Sequence, residues 1–110
     1  MQDWAETFAT AATDYAAALT AADAESYESV FDADAVLQDG DSEIQGLRRL
    51  TSAARLIKAE NPDSRWALVA TYVGEDGSGV VVSELTGLRG QDPTVEYDVL
   101  TISDGLVSNW

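Results

Sequence analysis

Histidine and cysteine are both missing from this 110-residue chain. Without cysteine there can be no disulfide, thiolate metal site or thiol nucleophile, and the redox compartment leaves no mark on the sequence. Without histidine the usual base near neutral pH, the usual zinc ligand and the serine–histidine pair are gone together. Positive charge is nearly as scarce: six basic residues, of which only Lys58 is a lysine, stand against 20 acids, giving a formal charge of -14. That surplus repels phosphate backbones and anionic lipid surfaces, so neither nucleic acid nor membrane is expected as a partner. No apolar run approaches the roughly 20 residues that cross a bilayer. The opening Met1-Gln2-Asp3-Trp4-Ala5-Glu6 places acids where a signal peptide carries bases, which leads to the expectation of a cytoplasmic protein. Any acid–base chemistry must therefore run on carboxylates, tyrosines or Lys58.

At this length, with 45% hydrophobic residues, the chain can bury one core and is expected to form a single domain over residues 1–110. Apolar residues at Trp4, Phe8, Ala11, Tyr15, Leu19 and Ala22 recur at steps of three or four, which predicts a long amphipathic helix from Asp3 to Ala22. Asp3 with Glu6 has the spacing of a capping box. Asp23 can cap a short second helix carrying Tyr27, Val30 and Phe31. The Asp32-Ala33-Asp34 segment is expected to break it before a brief strand at 35–39, with Gly40-Asp41-Ser42 as a turn. After Gly46, Leu47, Leu50, Ala54 and Ile57 make the apolar stripe of a third helix that should end near Asn61-Pro62, with Arg55 and Lys58 suited to its C-terminal dipole.

Beyond Pro62 the period changes to two. Trp66, Leu68, Ala70 and Tyr72 alternate with their neighbours as in a strand. Gly74-Glu75-Asp76-Gly77 predicts a hairpin turn, 80–88 and 94–103 predict two more strands, and Asp104-Gly105 predicts a tight turn into a last one. Helices followed by a meander define an α+β class in which a curved antiparallel sheet wraps the first helix and leaves a cavity at its open end.

This order, together with Tyr15-Ala16-Ala17-Ala18-Leu19 before Ala22-Asp23, the run from Phe31 to Asp39, Gly46 opening a helix, and Glu96 through Gly105, resembles the nuclear transport factor 2-like superfamily. That superfamily includes ketosteroid isomerases and SnoaL-type polyketide cyclases. The resemblance implies a cone of three N-terminal helices on a curved sheet. It also implies a cofactor-free enzyme that moves a proton next to a carbonyl in a steroid- or polyketide-like molecule. On the isomerase pattern, Asp39 matches the general base, and Tyr15 and a protonated Asp98 match the oxyanion-stabilising pair; this chemistry is a known example in ketosteroid isomerase. Leu19, Phe31, Ile57, Trp66 and Leu100 would line the pocket. No cofactor or metal is implied, the partner would be a small hydrophobic molecule, and a homodimer is expected. The second supporting tyrosine of that pattern has no counterpart, its place falling near Ala54, and Asp39 is followed by glycine rather than proline.

The residues read from physics alone leave alternatives open. Tyr15 on the buried stripe is either a core phenol bonded to backbone or water, or a donor to a ligand. Asp98 shares a strand face with Leu100 and Ile102; facing inward it would be held neutral by burial, facing outward it would be an ordinary solvated acid. Asp39 is either a solvated residue of an acidic loop or a carboxylate overhanging the pocket. Glu84 and Glu96 are expected to face outward as a polar set. Arg48, Arg49, Arg55 and Lys58 are expected to form a solvated helix face. A second reading of the whole chain is a non-catalytic binding or dimerisation module, since this kind of fold hosts many functions.

Overall fold

The computed structural model describes residues 4–39, 41–74 and 77–110, the side chain of Asp39 excepted. The elements run α1 (Trp4–Ala21), α2 (Ala24–Val30), β1 (Phe31–Asp39), β2 (Ser42–Gln45), α3 (Leu47–Glu60), β3 (Arg65–Val73), β4 (Ser78–Thr86), β5 (Thr94–Ser103) and β6 (Leu106–Asn109). They form three helices packed on one six-stranded sheet of order β2-β1-β6-β5-β4-β3. The predicted stripe is what buries α1: Phe8, Ala11 and Tyr15 enter a core completed by Tyr27, Phe31, Val81, Leu100 and Val107. Gly79 on β4 lets the helix come close, because a Cβ there would press into the Phe8 ring. The Asp23 cap is present, its Oδ1 accepting from the Ser26 N–H at 2.8 Å. Asp3 of the expected capping box lies outside the described residues, as do Gly40, Glu75 and Asp76 of the two predicted turns. The second of those hairpins is closed by the Gly74 N–H donating to the Ser78 carbonyl at 2.9 Å.

The sheet is mixed rather than wholly antiparallel. β1 lies parallel to β6 and every other neighbouring pair is antiparallel. A parallel pair needs a long crossover, and here the whole span from β2 to β5 supplies it. β1 starts at Phe31, four residues before the expected brief strand. The Asp32-Ala33-Asp34 segment, expected as a break between helix and strand, lies within this strand, where Asp32 Oδ1 accepts the Asp34 N–H at 2.9 Å. The register with β6 is irregular over the same stretch. β2 was not foreseen: of its four residues only Ile44 is partly buried, too little to mark a strand pattern.

A register shift between Leu68 and Ala70 changes which face β3 presents. Trp66 and Leu68 stand opposite the inward residues Leu85 and Ser83, whereas Ala70 and Tyr72 stand opposite Val82 and Val80, which belong by strand parity to the other face of β4. One extra residue reverses the side-chain parity of a strand. The predicted single face of Trp66, Leu68, Ala70 and Tyr72 is therefore split, and Tyr72 is exposed. The Asp104-Gly105 turn is as expected, both residues having positive φ, at 52° and 80°. Among the described residues no helix is long and apolar enough to cross a membrane.

Candidate functional site

A cavity of about 350 Å³ opens between α1, α3 and the inner face of the sheet. Its wall is largely apolar, with Leu19, Leu37, Ile44, Leu50, Ala54 and Ile57 among the residues that form it. Two tyrosines, Tyr15 and Tyr27, and two tryptophans, Trp66 and Trp110, supply the aromatic surface. Polar groups enter at few points, the arrangement that orients a small molecule while burying most of it.

The first of those points joins α1 to β5. The Tyr15 hydroxyl donates to Asp98 Oδ2 at 2.9 Å across 83 residues of sequence. α1 brings Tyr15 inward because its apolar stripe faces the sheet. β5 brings Asp98 inward by parity, since Glu96, Asp98, Leu100 and Ile102 alternate with the exposed Val95, Tyr97 and Val99. Burial pushes the Asp98 carboxyl above the usual carboxylate value of 3.8, and the hydrogen bond from Tyr15 opposes that rise. Tyr15 is itself held protonated, by its own burial first and then by the negative charge of Asp98. Burial also pushes the Tyr27 hydroxyl up to about 12. A neutral Asp98 accepting at Oδ2 can carry its proton on the other oxygen and donate it to a ligand.

The second point joins β5 to β3. The Trp66 indole N–H donates to Glu96 Oε2 at 3.2 Å, and Glu96 is in the cavity wall. The expectation of an outward-facing Glu96 is corrected by strand parity: Glu96 is two residues from Asp98 and shares its face. Glu84 is exposed, as expected. Trp66 is fixed from α1, its backbone N–H donating to Thr20 Oγ1 at 2.9 Å. Lys58 reaches past the end of α3, its ammonium donating to the Ser64 carbonyl at 2.5 Å, and among the described residues the buried Ser64 hydroxyl has no hydrogen-bond partner. Lys58 is therefore partly withdrawn into the cavity wall, unlike the exposed Arg48, Arg49 and Arg55 of the same helix.

Of the residues singled out in the sequence, Tyr15, Asp98, Leu19, Ile57 and Trp66 meet in this one cavity. Phe31 and Leu100 are corrected to core positions, 1% and 0% exposed. Phe31 acts from behind the wall, its ring stacked on Trp110 at 4.6 Å between centroids. The Asp39 side chain lies outside what the structure describes; its backbone ends β1 opposite Ser42, just past the wall residues Leu37 and Gln38. Sequence reasoning missed Trp110, whose backbone N–H donates to Val36 and whose carbonyl accepts from Gln38. Those bonds to β1 belong to the parallel pairing, which periodicity does not announce.

Replacing Asp98 by Asn should make the pH dependence of stability visible. A carboxyl with a raised folded-state pKa stabilises the fold fully below its unfolded value, near 3.8, and loses that contribution as pH rises through the folded value. Asn keeps an acceptor for Tyr15 and does not titrate. The stability difference, variant minus parent, is therefore expected to grow as pH rises above the unfolded value near 3.8 and to level off once Asp98 is ionised in the folded protein, measured as urea midpoints. A difference that stays flat with pH would show that Asp98 is not perturbed.

No protein-family model matches the chain, and comparison with curated protein sequences returns no match. Solved structures do match along nearly the whole length. Bal32a, from a soil-derived mobile gene cassette, superposes with a TM-score of 0.82 at 17% identity, over 97% of this chain and 88% of its own. A protein described as a candidate isomerase of the SnoaL-like family from Agrobacterium tumefaciens gives 0.78 at 17%, over 94% and 93%. A protein of ketosteroid isomerase-like fold from Catenulispora acidiphila, in complex with trimethylamine, gives 0.75 at 15%, over 90% and 80%. The chain thus has the nuclear transport factor 2-like fold shared by SnoaL-like and ketosteroid isomerase-like proteins. At these identities the likeness establishes the fold and leaves chemistry to be argued from the cavity.

Proposed function

We propose that the protein is a cofactor-free acid–base enzyme that moves a proton next to the carbonyl of a hydrophobic, steroid- or polyketide-like molecule in the cytoplasm. The observation that carries this reading is the Tyr15–Asp98 hydrogen bond inside a largely apolar cavity, with Asp98 pushed toward its neutral form. A neutral acid that accepts a phenol's hydrogen bond at one oxygen can donate its own proton from the other to the oxygen of an enolate, whose charge appears only as the proton leaves carbon. Asp39 takes that proton and returns it to a neighbouring carbon, so atoms balance without any other reactant. The test is α-proton exchange of 2-tetralone in deuterated water with the purified protein, followed by NMR. Exchange well above the buffer rate, blocked by the non-exchanging competitor 2-naphthol, is expected; a rate equal to buffer would overturn the reading.

A dimerisation role is favoured by a separate observation. On the outer sheet face Tyr72, Val95, Tyr97 and Val99 are 63%, 50%, 72% and 61% exposed. Large apolar side chains grouped on one face of a highly charged protein mark an interface, and a second copy of the same face is the partner proposed. Tyr97→Lys is expected to convert a dimer into a monomer by light scattering while leaving the far-ultraviolet circular dichroism unchanged. A monomeric parent protein would refute this.

A further inference from the structure

One phenol of the cavity wall has no part in the proposed proton transfer. Tyr27 sits on the short helix α2, is 3% exposed and borders the cavity together with Tyr15. Its backbone is tied on both sides: its N–H donates to the Asp23 carbonyl at 3.1 Å, and its carbonyl accepts the Phe31 N–H. Asp23 also caps α2 through its side chain, which leaves the helix little freedom to turn the residue. The Tyr27 ring packs on Phe31 at 4.8 Å between centroids, and Phe31 is stacked in turn on Trp110. Backbone and ring are thus accounted for by the fold, and the hydroxyl is not.

Among the described residues that hydroxyl has no hydrogen-bond partner. Tyr15 carries the same group and uses it on Asp98. A buried phenol ordinarily finds such a partner. The fully enclosed hydroxyls left without one are those of Ser64 and Ser83. The Tyr27 hydroxyl is not among them, so the little surface that Tyr27 keeps includes its polar tip. With the ring enclosed in the core cluster, that tip opens on the cavity.

We infer that Tyr27 is a specificity-determining residue whose hydroxyl donates to a second oxygen of the ligand, an ether, hydroxyl or carbonyl oxygen apart from the carbonyl held at Asp98. Burial keeps the phenol protonated, so it has a proton to give at any ordinary pH. That proton has no acceptor in the protein, and a ligand that offered only a donor would leave it unmatched. The net charge of -14 disfavours an anion, which makes a neutral oxygen the fitting acceptor. Tyr27 is near enough to Tyr15 for its charge to oppose ionisation of Tyr15, so both polar contacts fall within one small molecule.

This inference rests on the cavity being the working site, as proposed above, but it is read by affinity and not by turnover. The probes are 2-tetralones carrying methoxy or methyl at each free position of the aromatic ring in turn, titrated calorimetrically. Methoxy can only accept and methyl can do neither, so each pair isolates one acceptor. At one position or more the methoxy ketone is expected to bind about threefold to tenfold more tightly than its methyl partner, the range of a neutral hydrogen bond. In Tyr27→Phe that preference should vanish at the same position, with binding of the methyl ketone unchanged. The urea midpoint of the ligand-free variant should stay level or rise, because the lost hydroxyl bonds nothing within the fold. Asp98→Asn, which alters the carbonyl end, should keep the methoxy preference. Equal binding of every pair, a preference that survives in Tyr27→Phe, or one that disappears in Asp98→Asn as well, overturns the assignment. Methoxy preference without α-proton exchange would sink the enzyme reading and leave Tyr27 standing, and exchange without preference would do the reverse. Failure of every ketone to bind removes both.

Discussion

Replacing Asp98 by Ala is expected to slow α-proton exchange of a bound ketone by about 10²- to 10³-fold, the usual cost of removing one donor to a developing oxyanion. Tyr15→Phe should cost less, about tenfold, because its hydroxyl donates to Asp98 and so acts on the ligand through it. The double variant should be no slower than Asp98→Ala, since residues of one hydrogen-bonded unit do not contribute independently. Asp98→Asn separates the acid from its shape. Its amide can accept from Tyr15 and still donate N–H to the ligand oxygen, so it should retain much of the rate. It should also lose the fall in rate expected of the parent as rising pH ionises Asp98. Rates measured by NMR across pH, with ligand affinity measured separately, test all four proteins. Multiplicative losses in the double variant would mean that Tyr15 and Asp98 work apart, and an unchanged rate in Asp98→Ala would remove the pair from the chemistry.

Those two residues were singled out through the resemblance to the isomerase pattern, and the periodicities of their elements account for the inward direction that both take in the structure. Tyr15 belongs to a stripe of steps of three and four, and Asp98 to a strand whose parity is anchored by Leu100 and Ile102, 0% and 7% exposed. The same parity argument reaches Glu96, which sits one alternation further along. It was misread because a glutamate near a strand end reads as solvated until a partner across the cavity, here Trp66, comes into view. The three helices and the last four strands were legible for the same reason: long regular patterns punctuated by Asp23, Gly46, Pro62 and Asp104-Gly105. What stayed hidden was set by non-local pairing. The parallel contact of β1 with β6, the four-residue β2, the extra residue near Val69 that turns Tyr72 outward, and the placing of Trp110 in the cavity all depend on strands that meet across the chain. Phe31 and Leu100 show the complementary error. Apolar periodicity says that a residue is buried, but whether it borders the cavity or lies one layer behind it depends on the width of the space between α1 and the sheet.

Asp39→Asn is expected to lower the exchange rate by about 10²- to 10⁴-fold, the range over which a positioned base acts, while ligand affinity stays within about threefold. Asn matches the carboxylate in shape and cannot accept the proton, and the ligand's apolar body would still be held by Leu37, Ile57 and the tryptophans of the wall. The position argues for the role: β1 contributes Leu37 and Gln38 to the wall and ends at Asp39, where the chain pairs back through Ser42. Glu96 is the competing base, because it is a carboxylate in the cavity wall, and the two assignments separate cleanly. Loss of exchange in Asp39→Asn with exchange preserved in Glu96→Gln assigns proton transfer to Asp39. The opposite pattern moves the base to Glu96 and leaves Asp39 a solvated residue of its acidic loop, beside the exposed Asp41 and Glu43. If neither variant changes the rate, neither Asp39 nor Glu96 moves the proton, and with Asp98 assigned as donor the chain is better understood as a binding module whose cavity and outer sheet face serve recognition alone.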